Sequence, residues 1–136
     1  MTPAQVNLIK QSFEKVLPIK KIAADLFYDR LFELDPPLRK LFPEDMTEQK
    51  MRLMTALSFV IAGLDRLEEI TPALESLGRS HAGYGARKKD YITVGAALLW
   101  TLEQGLGSDW NEELKAAWAA AYGAIADTMQ SAYEDA

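Results

Sequence analysis

The sequence predicts an all-α protein built as one domain over residues 1–136. Apolar residues recur at the three- and four-residue spacing of helices, and no segment alternates between polar and apolar residues as a strand does. Proline and glycine divide the chain into stretches of helical length. With 49% hydrophobic residues, the chain has enough apolar side chains for one substantial core. We expect six to eight helices of unequal length, which favours an irregular fold over a symmetric four-helix bundle.

The N-terminal quarter of the chain predicts two helices separated by a proline. The first begins at Thr2, with a proline in its first turn and Gln5 as the partner in a capping box, and it breaks at Pro18. The second runs from about residue 20 to residue 34, because the Asp35-Pro36-Pro37 stretch bars its continuation.

Two further helices are predicted in the middle of the chain. A short helical turn extends to Phe42, after which Asp45 and Glu48 form a second capping box. Thr71-Pro72 is expected to open the next helix, whose end is marked by Gly83 and Gly85. One face of the third helix carries Gln49, Leu53, Ala56 and Val60, and the next helix carries Leu74, Leu77 and His81.

The C-terminal part of the chain predicts two long helices. One starts at Asp90 and ends at Gly105 and Gly107, and the other is capped by Asp109 and Glu112. Their buried faces are expected to carry Tyr91, Val94, Leu98 and Leu102 in the first, and Leu114, Trp118, Ala121, Ile125 and Met129 in the second.

Charge and composition exclude several classes of function. A net charge of -5 offers no basic field for nucleic acid or for an anionic membrane surface. Residues 1–10 contain no apolar core of the length expected for a signal peptide, and the longest apolar stretch, residues 56–64, is too short for a membrane span. We therefore expect a cytoplasmic protein with no nucleic-acid or membrane partner.

The cysteine and histidine counts narrow the possible metal chemistry. The chain has no cysteine, which excludes disulfides, thiolate metal sites, cysteine nucleophiles and haem attached through a Cys-x-x-Cys-His motif. It has one histidine, which excludes a zinc site built on two or more histidines.

His81 is the first candidate ligand, because imidazole is the side chain best able to bind haem iron in a protein without cysteine. Leu77 lies one helical turn earlier, so its backbone carbonyl is placed to accept the other ring N–H and fix the tautomer. A lone histidine on a helix is more often a surface or hydrogen-bonded residue, and from the residues alone both interpretations stay open.

Five stretches of the sequence carry a family pattern. They are Leu26-Phe-Tyr-Asp-Arg-Leu-Phe32, Leu38-Arg-Lys-Leu-Phe42, Leu77-Gly-Arg-Ser-His81 with Tyr84-Gly85, Tyr91-Ile-Thr-Val-Gly95, and Ala117-Trp118 with Ala121-Tyr-Gly-Ala-Ile-Ala126. In this order and spacing the chain resembles the bacterial globins, both the single-domain haemoglobins and the globin domain of flavohaemoglobins. The resemblance covers nearly the whole length and implies the globin fold, a three-over-three helical sandwich that encloses a haem.

The resemblance implies non-covalent haem b with His81 as the proximal iron ligand. Phe42 matches the phenylalanine that packs flat against the haem. The other haem contacts that it implies are Leu53, Leu77, Tyr84, Val94 and Leu98. Candidate partners of the haem propionates are Arg79, Lys50, Tyr84 and Arg87, for each of which a solvated helix face is an equally good explanation.

On the distal side the resemblance assigns Tyr28, Gln49 and Leu53 to the gas ligand. A register shifted by one residue would place Glu48 and Arg52 in an apolar pocket at high cost, which favours Gln49 and Leu53. Tyr28 and Gln49 are expected to donate hydrogen bonds to bound oxygen, which predicts slow release and high affinity. With one histidine the iron cannot be bis-histidine, so its sixth position is open, filled by water, or reached by Tyr28 when oxidised.

Tyr91 matches a proximal tyrosine that, in flavohaemoglobins, joins the proximal histidine and a late glutamate in a hydrogen-bond network. Here the matching late position is Tyr133, with Glu134 one residue beyond, about 100° around a helix. The peroxidase-like function of that network is therefore in doubt, and the flavin and nicotinamide domains of flavohaemoglobins are absent from these 136 residues.

The leading hypothesis is a haem protein that binds dioxygen reversibly, for storage or delivery, and that also binds carbon monoxide and nitric oxide. The alternatives are a nitric oxide dioxygenase or peroxidase-like enzyme with an external reductase, a gas or redox sensor, and a globin-like module without haem. A monomer or weak homodimer is expected.

Overall fold

The computed structural model describes residues 1–134, with Tyr133 and Glu134 described through their backbone alone. Six helices fill the described chain, and it contains no strand, so the all-α prediction is confirmed. They are α1 (Pro3–Val16), α2 (Lys20–Leu34), α3 (Thr47–Ala62), α4 (Leu67–Gly83), α5 (Lys88–Leu106) and α6 (Glu112–Glu134). Short 3-10 turns at Leu17–Ile19, Pro36–Leu41, Leu64–Arg66 and Gly107–Asp109 join them.

The predicted capping box of α1 forms. The Thr2 hydroxyl accepts the Gln5 backbone N–H at 3.1 Å, and the Gln5 side-chain oxygen accepts the Thr2 backbone N–H at 3.0 Å. The bounds of α2 also agree with the prediction, since Pro36 starts a 3-10 turn and cannot extend the helix. These starts and stops depend on local chemistry, which the sequence displays directly.

The predicted capping box at Asp45 and Glu48 is wrong. Asp45 accepts the backbone N–H and the hydroxyl of Thr47, at 3.0 and 2.7 Å, and these hydrogen bonds hold the pKa of its carboxyl below the usual value. Glu48 turns away and pairs with Arg52 at 2.7 Å. An ion pair four residues apart on the helix surface has replaced the expected contact with the backbone.

The predicted helix start at Thr71-Pro72 is also wrong, because α4 begins at Leu67 and contains Pro72 in its interior. The hydroxyl of Thr71 donates to the Leu67 carbonyl at 2.8 Å, so it bonds within the helix and does not cap it. Ile70 and Leu74 are buried on either side of the proline. Tertiary burial therefore holds a helical turn that the proline alone would end.

The start of α6 differs from the prediction by two residues. Asn111 accepts the Leu114 backbone N–H at 2.8 Å, and this is the capping contact that the sequence predicts at Asp109. The Asp109 carboxylate instead pairs with Lys15 at 3.3 Å. Glu112 is the first residue of the helix rather than a capping partner.

The helices pack most extensively as α4 against α6 and α2 against α5. Gly78 allows the first contact, because a Cβ at this position would overlap the backbone carbonyl of Met129. Nearer the start of α6, the Trp118 indole N–H donates to the Ser12 hydroxyl at 2.9 Å, which joins α6 to α1. No helix in residues 1–134 is both long enough and apolar enough to cross a membrane.

Candidate functional site

An apolar cavity of about 200 Å³ lies where α3, α4, α5 and α6 converge. Six of the residues predicted from the sequence line it: Leu53, Leu77, His81, Tyr91, Val94 and Leu98. Its deeper wall includes residues that the sequence did not single out as site residues: Phe27, Leu57, Trp118, Tyr122, Ile125 and Met129. The resemblance assigned the first six residues to the site. The helical spacing placed Trp118, Ile125 and Met129 on a buried face of α6 without assigning them to a site.

His81 stands at the exposed end of this cavity, near the end of α4. Its Nδ1 lies 2.7 Å from the Leu77 carbonyl oxygen. A carbonyl only accepts, so Nδ1 carries the proton, and in the neutral ring Nε2 holds the lone pair. The imidazole is thus in the tautomer that metal-bound histidines use, with its orientation fixed by the backbone.

Tyr91 is buried beside this imidazole, with the two ring centroids 6.4 Å apart. Its position on α5 is held by α6, because the Tyr122 hydroxyl donates to the Tyr91 carbonyl at 2.6 Å. The Tyr122 ring lies over Gly95, where a Cβ would come within 2.8 Å of it. Burial raises the pKa of Tyr122, so its hydroxyl remains a donor at high pH.

Tyr28 and Gln49 form a polar pair between α2 and α3. The Gln49 amide donates to the Tyr28 hydroxyl oxygen at 3.2 Å, so the phenol keeps its own proton for another acceptor. Tyr28 is 4% exposed, and burial raises the pKa of its hydroxyl although the hydrogen bond from Gln49 opposes the shift. The pair therefore presents a protonated phenol.

Aromatic side chains surround Tyr28. Its ring meets Phe27 at 5.0 Å and Phe42 at 5.6 Å between centroids, both edge to face. Phe42 also packs on Phe32, at 5.5 Å. Phe27 lines the cavity, so this aromatic cluster connects the polar pair to the cavity wall.

The backbone after Phe42 is held by one guanidinium. Arg39 donates to the carbonyls of Phe42, Pro43 and Glu44, at 3.3, 2.8 and 3.0 Å. The same guanidinium lies over the Phe32 ring, 5.5 Å from its centroid. The sequence does not reveal this role of Arg39, since the carbonyls that it binds carry no residue-specific signal.

Several predicted site residues lie elsewhere than on the cavity wall. Tyr28, Gln49 and Phe42 do not line the cavity; Phe42 and Gln49 contact Tyr28, which packs on the cavity residue Phe27. Tyr84 is 68% exposed. Lys50, a candidate propionate partner, pairs with Asp25 across α2 and α3 at 2.8 Å.

Other predicted positions are exposed or undescribed. The candidate propionate partners Arg79 and Arg87 are exposed. The shifted register is not supported, because Glu48 and Arg52 are exposed while Leu53 faces the cavity. The expectation for Tyr133 and Glu134 lies outside the described side chains.

A haem suits the chemistry of this site. The walls are almost wholly apolar, and one neutral imidazole with a free ring nitrogen reaches the cavity. The volume of about 200 Å³ is below the roughly 300 to 1,000 Å³ of typical ligand sites. A macrocycle must therefore also use the exposed end of the cavity at His81. Among the described residues, no cluster of three or more histidine, cysteine or acidic side chains could hold a metal ion.

A model of the globin family matches residues 25–129 of this chain. The chain belongs to the globin family. The flavohemoprotein of Rhizobium meliloti is 32% identical over 106 residues, which cover 76% of this chain and 26% of that protein. The neuroglobin of Danio rerio is 29% identical, with 90% of this chain and 86% of that protein covered. The flavohemoprotein of Bacillus subtilis is 31% identical, and the match covers 91% of this chain and 32% of that protein.

The chain thus spans about a third or less of the length of the flavohemoproteins that it matches. A bacterial globin from Campylobacter jejuni has the same fold, with a TM-score of 0.82 at 23% identity, covering 98% of this chain and 97% of the other. The predicted globin fold and the resemblance to bacterial globins are confirmed. Membership of the family implies that the chain binds haem and diatomic gases.

Proposed function

We propose that this chain binds dioxygen reversibly at a non-covalent haem b whose iron is coordinated by His81. The observation that carries the proposal is the imidazole itself: Nδ1 donates to the Leu77 carbonyl, and the ring stands at the end of an apolar cavity. When bound, the haem would supply an iron atom that can bind a diatomic gas. The protein around it has to hold the group, exclude water and stabilise the gas.

Each of these tasks has candidate residues in the chain. Leu53, Val94 and Leu98 provide apolar contact and keep water from the centre. Phe42 stands against Tyr28, where it limits the movement of the phenol. Tyr28 would donate a hydrogen bond from its phenol O–H to a bound gas that carries partial negative charge. Such a charge-assisted hydrogen bond is worth about 1.5 to 3 kcal/mol, which slows release roughly tenfold to hundredfold.

Gln49 can act on the gas in two ways: by orienting the Tyr28 hydroxyl, and by donating a hydrogen bond of its own. The Gln49 amide donates to the phenol oxygen, which directs the phenol proton away from Gln49. The second amide proton of Gln49 stays available for the gas. Tyr28 is then the principal donor, and Gln49 orients it.

The experiment that tests the proposal is an absorption spectrum of the purified protein in ferric, ferrous and carbon monoxide forms. Wild type is expected to take up haem and show a strong Soret band, and His81→Ala to lose most of it. Ser80→Ala changes the exposed neighbouring residue and is expected to match wild type. Equal haem uptake by wild type and His81→Ala would contradict the assignment. A spectrum of the deoxy ferrous form, without carbon monoxide, that showed the sharp split bands of six-coordinate low-spin haem would contradict the distal arrangement.

A second candidate function is nitric oxide dioxygenation, which the similarity to two flavohemoproteins favours. Nitric oxide, dioxygen and one electron combine to give nitrate, and an external reductase would have to supply the electron. Repeated additions of nitric oxide with a reductase present would separate the two functions. An enzyme makes nitrate in proportion to the total added, whereas a carrier stops after one equivalent.

A further inference from the structure

A concentration of positive charge borders the proposed haem site. Residues 76–89, which form the corner between α4 and α5, include Arg79, Arg87, Lys88 and Lys89 and no acidic residue. All four side chains are exposed, and none takes part in an ion pair within the described part of the chain. We call residues 76–89 the cationic corner.

The cationic corner contrasts with the rest of the molecule. It holds four of the 15 basic residues and none of the 20 acidic ones, so the remainder has 11 basic against 20 acidic residues. A protein of net charge -5 thus carries a locally positive surface. An extended polyanion would meet the acidic remainder and be repelled, whereas a compact acidic partner could be accommodated at the corner alone.

The molecule itself does little to neutralise this charge. Lys88 and Lys89 stand in the first turn of α5, where the helix dipole is also positive. Two acids flank the corner. Glu75 lies one turn before Arg79 on α4 and makes no ion pair among the described residues. Asp90 is buried, and its Oδ2 accepts the backbone N–H of Arg87 at 2.8 Å. The two propionates of a haem would neutralise at most two of the four charges.

The cationic corner is continuous with the cavity. Leu77, His81 and Ala86 belong to the corner and line the cavity wall, and the exposed ring of Tyr84 lies between them in sequence. A protein docked here would stand beside the proximal side of the haem.

We propose that the cationic corner is the docking surface for an acidic electron-donor protein that reduces the haem iron. The inference rests on the proposed function, and it specifies the chemistry of the external reductase. The positive surface steers the donor to the cavity mouth, and the donor gives one electron to ferric iron, leaving the donor oxidised and the iron ferrous. Steering of this kind raises association rates by about 10- to 1,000-fold at low salt.

The test compares two double variants of the haem-loaded protein. Lys88→Glu with Lys89→Glu reverses charge in the cationic corner. Lys21→Glu with Lys115→Glu changes two exposed lysines outside the corner. Both variants move the formal net charge from -5 to -9, so the total charge is matched. The probe is a reduced plant-type [2Fe–2S] ferredoxin, an acidic one-electron donor, and the measurement is the second-order rate of haem reduction by stopped flow.

At low ionic strength the corner variant is expected to be reduced at least about tenfold more slowly than wild type, and the control less than about threefold. In about 1 M salt, where the Debye length is about 3 Å, the three rates should converge. A neutral photogenerated flavin radical should reduce all three at the same rate. If ferredoxin reduced the haem of both variants at the same slowed rate, the docking surface would be overturned while the proposed function stayed intact. Failure of wild type to take up haem would overturn both.

Discussion

The two sides of the candidate haem site are held by different kinds of contact. On the proximal side, Gly78 brings the backbone of α4 onto the backbone of α6, and the imidazole is held by a main-chain carbonyl. On the distal side, α2 and α3 are joined by side chains, through the Tyr28 and Gln49 pair and the Lys50–Asp25 ion pair. Backbone contacts cannot adjust to an added atom, whereas side chains change rotamer. Proximal substitutions should therefore affect folding and haem retention, and distal substitutions should affect the kinetics of the gas.

The largest effect is expected from Gly78→Ala. The new methyl group would overlap the Met129 carbonyl, so α4 must move away from α6. We expect a loss of roughly 1 to 3 kcal/mol in the free energy of unfolding, faster haem loss and a shifted iron–histidine stretching frequency. Denaturant titration measures the free energy of unfolding, and transfer of haem to a scavenger measures the rate of haem loss. Resonance Raman spectroscopy measures the iron–histidine stretching frequency.

The matched control for this substitution is Gly123→Ala, also inside a helix, where an added Cβ meets nothing. It should raise the stability by about 0.5 to 1 kcal/mol, the ordinary gain of alanine over glycine in a helix. If Gly78→Ala kept the wild-type stability and Raman frequency, the proximal side would be no more rigid than the distal side, and the contrast between them would be wrong.

On the distal side, Tyr28→Phe should leave haem uptake intact and speed oxygen release roughly tenfold to hundredfold. The variant removes the proposed donor and keeps the ring that packs on Phe27 and Phe42. Stopped-flow displacement of oxygen by carbon monoxide gives the rate. An unchanged release rate would remove Tyr28 from the gas site.

Gln49→Leu should have a smaller effect, about two- to tenfold on the same rate, as expected for a neutral hydrogen bond. Because Gln49 donates to the Tyr28 hydroxyl, its effect should largely vanish in a Tyr28→Phe background. Additive effects in this double-mutant cycle would mean that Gln49 acts on the gas without Tyr28.

The smallest expected effect is a loss of folding stability at high pH that comes from Tyr28. Burial raises the pKa of the Tyr28 hydroxyl, while an unfolded tyrosine titrates near 10. The stabilisation from Tyr28 is therefore complete below about pH 10 and is lost as the pH rises toward the folded pKa. The stability difference between wild type and Tyr28→Phe should be constant from pH 7 to 9 and shrink above pH 10. Tyr122 is present in both proteins, so its titration cancels.

The sequence predicts features that depend on neighbouring residues and misses those that depend on distant ones. The capping box of α1 and both ends of α2 are predictable because their signals are local. The predicted start of α4 is wrong because Pro72 is tolerated only with Ile70 and Leu74 buried beside it. Helical spacing alone leaves such a proline indistinguishable from one at a helix start.

In the candidate site, too, contacts between residues close in sequence are predictable and contacts between distant residues are not. Leu77 and His81 lie one turn apart, so their hydrogen bond follows from the four-residue spacing alone. Tyr122 reaches Tyr91 from 31 residues away, and the Trp118 ring enters the cavity from α6. Helical spacing predicts that Trp118 is buried but not which cavity it lines. The contact between Tyr122 and Tyr91 has no signature in the sequence, because it depends on how α5 and α6 pack.

The contact at Gly78 has a consequence for the order of events during synthesis. A ribosome that adds 5 to 20 residues per second completes α4 roughly 2 to 10 seconds before it reaches Met129, the residue on which Gly78 rests. Until then α4 can form around His81, but the contact between Gly78 and α6 that positions α4 is missing. We therefore expect the nascent chain to acquire a binding-competent imidazole only when α6 docks on α4, so that haem capture follows the synthesis of α6.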